Sequence, residues 1–287
     1  MNLLPFVATG IGLGVVYAMS GVGLVLLYRA SGTLNFASGA LGAVAAHCAW
    51  TLIQFDVPVA LAWLVGILVS TLGSYLYGRF ISSRLIDRDR TVRAICTLGF
   101  GLFLLGILTT MWGPGLPRRL TLPTDNMFVL TVGMRISYTR IAALLVAIVA
   151  VIGVGLLLNR TRTGLAMRAL ASNRPVSSVI GIRIGATDAI AWLISGLFAG
   201  LAGLLLSDLV ILNPLTLTFL VIPAMAAAII GALRSMIGAF VGGMVAGLAE
   251  ALLTGVPDLA IVRSAAPYII AIIVMAVAMR TSFAARE

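Results

Sequence analysis

Apolar residues run along this chain in long blocks separated by short polar breaks, and the length of the blocks predicts the elements. A helix that crosses a bilayer needs about 20 mostly apolar residues. Runs of that kind cover 5–28, 33–54, 57–80, 94–113, 139–158, 188–211, 217–233, 235–254 and 265–279. Nine spans are expected, and the short runs 217–233 and 265–279 leave eight spans with one re-entrant segment as the alternative. The first run carries no Arg ahead of it and no small-residue cleavage site, so it reads as a retained span rather than a removed signal peptide.

Two connections stand out by length. Residues 114–138 hold Pro114, Gly115 and Pro117 just after Gly113, and the stretch from Met127 to Ile136 predicts a small hairpin or an interfacial segment. Residues 159–187 predict a short helix from Gly164 to Ala171, a break at Asn173 and Pro175, and a second short element ending near Gly181. Inside the spans, small residues recur every fourth position: Gly10/Gly14/Ala18, Ser195/Ala199/Gly203, Gly196/Gly200, Gly238/Gly242 and Ala239/Gly243/Gly247. That spacing lets helix backbones approach closely in lipid, which predicts a bundle of many helices.

Composition excludes the alternatives to a membrane. Apolar residues make up 61% of the 287 and charged residues only 10%, against about 25% charged in soluble domains. Neither a soluble globule nor a disordered chain suits those values. The expected fold class is all-α, a polytopic helical bundle of 8–9 transmembrane helices forming one domain over 1–287.

The net charge of +10 changes the picture less than it first promises. All 19 basic residues are Arg, and they fall between apolar runs rather than on one face. Membrane orientation by the positive-inside rule accounts for them, and nucleic acid is set aside. With the N-terminus outside and nine spans, 14 Arg lie on the cytoplasmic side and 5 outside. The N-terminus is therefore expected outside the membrane and the C-terminus inside.

Candidate chemistry is sparse. Without Lys there is no Walker A loop, so the chain is not expected to hydrolyse ATP itself. A single His47 excludes two-His zinc motifs, and no metal ligand set is expected. Ser38 and His47, nine residues apart, stand roughly 13 Å apart on a continuous helix, too far for a serine–histidine pair. Cys48 and Cys96 are expected as free thiols. Only Asp208 and Glu250 among the carboxylates lie within runs, both near the outer face. Ion-coupled transporters commonly place such groups near mid-membrane. Energy is thus expected from outside the chain, although an ion-coupled secondary transporter, or a membrane scaffold without transport, remains as an alternative. The inner loop around Arg168 could receive force from a motor; a merely solvated connection would have the same composition.

Several ordered motifs carry a resemblance. Thr161-Arg162-Thr163-Gly164-Leu165-Ala166-Met167-Arg168-Ala169, with Asn173 and Gly181-Ile182, resembles the inner-loop motif of branched-chain amino-acid ABC permeases of the LivH/LivM type. Leu34-Asn35-Phe36-Ala37-Ser38-Gly39 is similar to their I-N-F-A-H-G signature. Tyr17-Ala18, the Ala199–Gly203 stretch and Gly238–Gly243 with Gly247 and Glu250 match others. The resemblance runs from about residue 10 to 280. Departures are Ser38 in place of His, Arg183 in place of Asn, Pro175, and Ile230–Ser235 in place of G-G-L-G-S.

The resemblance implies the ABC importer permease fold and one half of a membrane pair, with a second homologous permease subunit beside it. It also implies two cytoplasmic ATP-binding subunits, which bind ATP and Mg, and an external solute-binding protein met by 114–138. No cofactor is implied in this chain. Arg162, Gly164, Met167, Arg168, Ala169, Asn173, Gly181 and Ile182 are the expected ATPase-coupling residues, with Met167 an apolar and Arg168 a charged contact. Asn35, Phe36, Ser38, Gly39 and Glu250 are expected along the translocation path. Branched-chain amino acids, or urea and short amides, are the implied solutes.

Overall fold

The computed structural model describes residues 4–113, 118, 120, 128–131, 134–256 and 260–284. Twelve α-helices and one hairpin appear among them. The long helices are α1 (Leu4–Ser31), α3 (Val59–Leu76), α4 (Arg90–Met111), α5 (Tyr138–Arg160), α8 (Ile184–Leu209) and α11 (Met236–Thr254). These six are long and apolar enough to cross a membrane, α3 continuing to Leu85. Shorter helices are α2 (Ser38–Gln54), α6 (Arg162–Ser172), α7 (Arg174–Val179), α9 (Pro214–Thr218) and α10 (Val221–Ile230). Then comes α12 (Ala266–Ala284). The expected hairpin forms as β1 (Phe128–Thr131) antiparallel to β2 (Met134–Ser137). The Pro- and Gly-rich start of that loop lies outside the described residues.

Two of the expected spans are not continuous helices. In the run 33–54 only 38–54 is helical, and in 217–233 the chain breaks into α9 and α10. Asn213 initiates α9 by accepting from the N–H groups of Leu215 and Thr216, and Pro214 occupies its first turn.

Helices α1 and α8 form the centre and are buried along most of their length. On them pack α2, α3, α5, α10 and α11, with α4 on α2 and α12 on α10; of these, α3, α4, α5 and α12 carry the outer surface. The outer helices expose large apolar residues such as Leu64, Leu68, Leu102, Phe103, Val149 and Ile272. In water that surface would be untenable, whereas hydrocarbon solvates it.

Small residues explain why the central helices can sit so close. The stripe Gly14/Ala18 on α1 meets Gly247 and Gly243 on α11 backbone to backbone, and a Cβ on either α11 glycine would strike the α1 main chain. Gly203 of α8 meets Gly42 of α2 in the same manner. Gly196 approaches Ser70 and Ser74 of α3, whose hydroxyls donate to the carbonyls of Gly196 (3.0 Å) and Trp192 (2.6 Å). Lipid offers no hydrophobic drive between helices, so close packing and interhelical hydrogen bonds hold the bundle.

Past Leu76, α3 loosens into a π-turn (Tyr77–Ile81) where Gly78 packs on Trp192. Tyr77 stacks on Phe100 there, ring centroids 4.7 Å apart.

Candidate functional site

Between α1 and α2 the chain is unwound. Gly32, at φ +70, leaves α1 in the left-handed region that glycine reaches without steric cost. Residues 33–37 then run into the helix layer, so that Gly42, one turn into α2, already lies against Ala199 and Gly203 in the body of α8.

Non-helical backbone at such depth must find hydrogen-bond partners in protein. It does. Ser31 Oγ accepts from Thr33 N–H (3.1 Å), Asn35 Oδ1 from Ala37 N–H (3.0 Å), and Thr97 Oγ1 of α4 from Phe36 N–H (3.1 Å). The α4 backbone passes close enough for Gly101 to meet Ala37 and the Phe36 carbonyl. Gly39 in turn abuts the Thr218 carbonyl at the end of α9, so the two broken segments meet. Asn35 and Ser38 are buried, and Asn35 Nδ2 and Ser38 Oγ have no hydrogen-bond partner among the described residues. Unwound backbone of this sort is how many transporters build their solute sites.

Glu250 lies elsewhere. Near the far end of α11 its Oε2 accepts from the Tyr17 hydroxyl of α1 at 2.8 Å. Both line a cavity of about 540 Å³ between the ends of α1, α8, α9–α10 and α11, together with Arg263. Phe6, Leu13, Leu209, Phe219 and Pro223 supply apolar walls. Asn35, Phe36, Ser38 and Gly39 do not line it, so the expected path residues fall into two groups rather than one. Arg263 was not anticipated, since a lone Arg after an apolar run carries no signal in sequence. Tyr17 had one, in the Tyr17-Ala18 motif within the first span.

At the opposite end, α6 and α7 form a bent pair. Thr161 opens α6 by accepting from Gly164 N–H (3.1 Å), and Asn173 opens α7 by accepting from Val176 N–H (3.1 Å). Gly181, at φ +87, closes the second element where expected. Gly164 seats α6 against the backbone of Leu157 and Leu158, where a Cβ has no room.

Arg162 and Arg168 are exposed, Ala169 is half-buried, and Gly181-Ile182 form the turn out of α7. Met167 departs from expectation: at 2% exposure it packs inward with Leu26, Leu158 and Met236, and is an anchor rather than a contact surface. The exposed apolar side chains are Leu165 on α6 and Val176, Val179 and Ile180 around α7. Helical phase explains the exchange, because 165 and 167 lie on different faces.

The α6–α7 pair is tied down by an ion pair. Arg174 Nη2 meets the Asp188 carboxylate at 2.6 Å, and Asp188 is 1% exposed. The sequence pattern places Asp188 at a span edge, but α8 starts four residues earlier and carries it inside.

Cys48 and Cys96 are free, as expected. His47 is fully buried, its Nδ1 2.8 Å from the Ala43 carbonyl of its own helix, and it makes no hydrogen bond to Ser38.

The chain is similar to known proteins over most of its length. The family model described as "Branched-chain amino acid transport system / permease component" matches residues 6–279. A probable branched-chain amino acid transport permease protein LivH of Methanocaldococcus jannaschii is 31% identical over 81% of this chain and 75% of its own. The high-affinity branched-chain amino acid transport system permease protein BraD of Pseudomonas aeruginosa is 28% identical over 87% and 86%. Among solved structures, PsaBC from Streptococcus pneumoniae in complex with Fab covers 96% of this chain and 91% of its own at 13% identity, with a TM-score of 0.49. With the family model's match over nearly its whole length, the chain belongs to the family of branched-chain amino acid transport permease components.

Proposed function

We propose that this chain is the membrane-spanning subunit of an ABC importer for a branched-chain amino acid. The cavity holding Glu250, Tyr17 and Arg263 supports that solute. A zwitterion with an apolar side chain places its ammonium on Glu250, its carboxylate on Arg263 and its side chain on the surrounding Leu and Phe residues. Urea and short amides offer no comparable use for charges of both signs or for apolar walls.

Energy enters at the other end. Two ATP-binding subunits, holding ATP and Mg, press on the exposed face made by Arg162, Leu165, Arg168 and the apolar tip of α7. Gly164, Met167, Ala169 and Asn173 hold α6 and α7 in place, and Gly181-Ile182 pass the motion into α8. A second homologous permease completes the pathway, which runs past Asn35, Phe36, Ser38 and Gly39. An external solute-binding protein delivers at the hairpin side. The chain then sits in a bacterial cytoplasmic membrane with its N-terminus outside.

The test is uptake of labelled leucine by the complex reconstituted with its ATPase subunits, second permease and binding protein. Glu250→Gln is expected to lower uptake about tenfold, the worth of one charge-assisted contact. Arg168→Glu should abolish the stimulation of ATPase activity by loaded binding protein. Uptake by the purified chain alone under an ion gradient, or full activity of both variants, overturns the proposal.

A further inference from the structure

A second cavity, of about 690 Å³, opens beside the α6–α7 junction, away from the Glu250 site. Arg29, Arg90, Arg93, Arg174 and Arg234 line it, and no acidic residue does so among the described residues. Arg174 is already neutralised by Asp188. Four guanidinium groups therefore share one concavity without a counter-charge in its lining.

Arg93 is the informative one. It is 5% exposed, and its Nε and Nη2 have no hydrogen-bond partner among the described residues. A buried charge left unpaired is costly, and native proteins pair or ligate such groups. Its position compounds the cost. Arg90 and Arg93 occupy the first turn of α4, which contains no acidic residue, and Asp89 makes no side-chain cap there. That end of a 22-residue helix carries the positive pole of its dipole and orphan N–H groups. With Asp188 committed to Arg174, the remaining guanidinium groups and the helix end favour an anion in the cavity.

The donors also specify which anion. Guanidinium forks match the geometry of tetrahedral oxyanions, and several converging on one concavity suit a phosphate better than a single carboxylate. The walls come from the end of α1, the start of α4, the α6–α7 junction at Asn173 and the turn between α10 and α11.

We propose that this cavity binds a phosphate group, either free phosphate or the headgroup of an anionic lipid, and so ties the α6–α7 junction to α1 and α4. Binding here is independent of which solute the protein carries.

The test uses the purified full chain. Inorganic phosphate is titrated against chloride at fixed ionic strength, following the unfolding transition by tryptophan fluorescence. In parallel, the transition is compared in phosphatidylcholine nanodiscs with and without phosphatidic acid. Arg93→Gln removes the buried donor, and Arg90→Gln/Arg234→Gln removes two exposed ones without disturbing packing.

A saturable stabilisation by phosphate identifies the free anion, and one seen only with phosphatidic acid identifies the lipid headgroup. In either case the exposed double variant should bind about tenfold more weakly, as expected for loss of a charge-assisted contact. Equal effects of chloride and phosphate with no response to phosphatidic acid, or wild-type affinity in the double variant, overturn the proposal.

Discussion

Ala232 and Leu233 adopt φ values of 53° and 54°, in the left-handed region where a Cβ crowds the backbone. They occupy the stretch that departs from a glycine-rich family signature, and the turn nevertheless keeps the glycine conformation. Its hydrogen bonds, Leu233 N–H to Ala228 and Ser235 N–H to Gly231, hold it there. Ala232→Gly is expected to raise stability by about 1 kcal/mol, the usual cost of a left-handed non-glycine residue, seen as a higher unfolding midpoint.

Asp188 works in the opposite sense. Asp188→Asn leaves Arg174 without its partner beside Arg93. The expected loss is about 3 kcal/mol, as for other broken buried pairs, read as a lower midpoint in the same assay. An unchanged midpoint would mean that the pair contributes no net stability.

At the scale of elements, the unwound stretch between α1 and α2 is the feature that a hydropathy reading misses. Leu34, Phe36 and Ala37 look like the start of a helix because they are apolar. What unwinds them is the supply of side-chain partners: Ser31, Asn35 and, from sixty residues away, Thr97. Thr97→Val deletes the acceptor for Phe36 N–H at similar volume. Hydrogen–deuterium exchange over residues 33–37 should then quicken, with a stability loss of about 1–3 kcal/mol for the orphaned donor. Unaltered exchange would show that the stretch is held by packing alone.

Elements also explain the exchange of Met167 for Leu165. The α6 sequence announces a short capped helix, but the face it buries depends on α1, α5 and α8 being beside it.

For the whole molecule, the arginines separate by end. Arg29, Arg90, Arg93, Arg174 and Arg234 gather around one cavity, while Arg118, Arg140 and Arg263 lie towards the other end of the bundle. On the orientation we propose from the positive-inside rule, the first end is cytoplasmic. In a variant lacking Cys48 and Cys96, an impermeant maleimide should label Tyr138→Cys in intact cells. It should reach Arg168→Cys only after permeabilisation. The reverse pattern would overturn the orientation.

Residue types and their spacing were enough to read a helical membrane bundle, most of its spans, the hairpin, the capped α6 and the small-residue stripes. Each of these follows from local physics: apolar length, turn chemistry, caps and a four-residue period. The 61% apolar content further marked the chain as one that suits a membrane. Tertiary structure decided the rest. It broke two spans, buried Met167 and Asp188, joined Tyr17 to Glu250 across 233 residues, and gathered five arginines from four distant segments. The physical reason is common to all: an unpaired polar group inside the bundle must find its partner through space, and that partner is set by which helices meet rather than by neighbouring sequence.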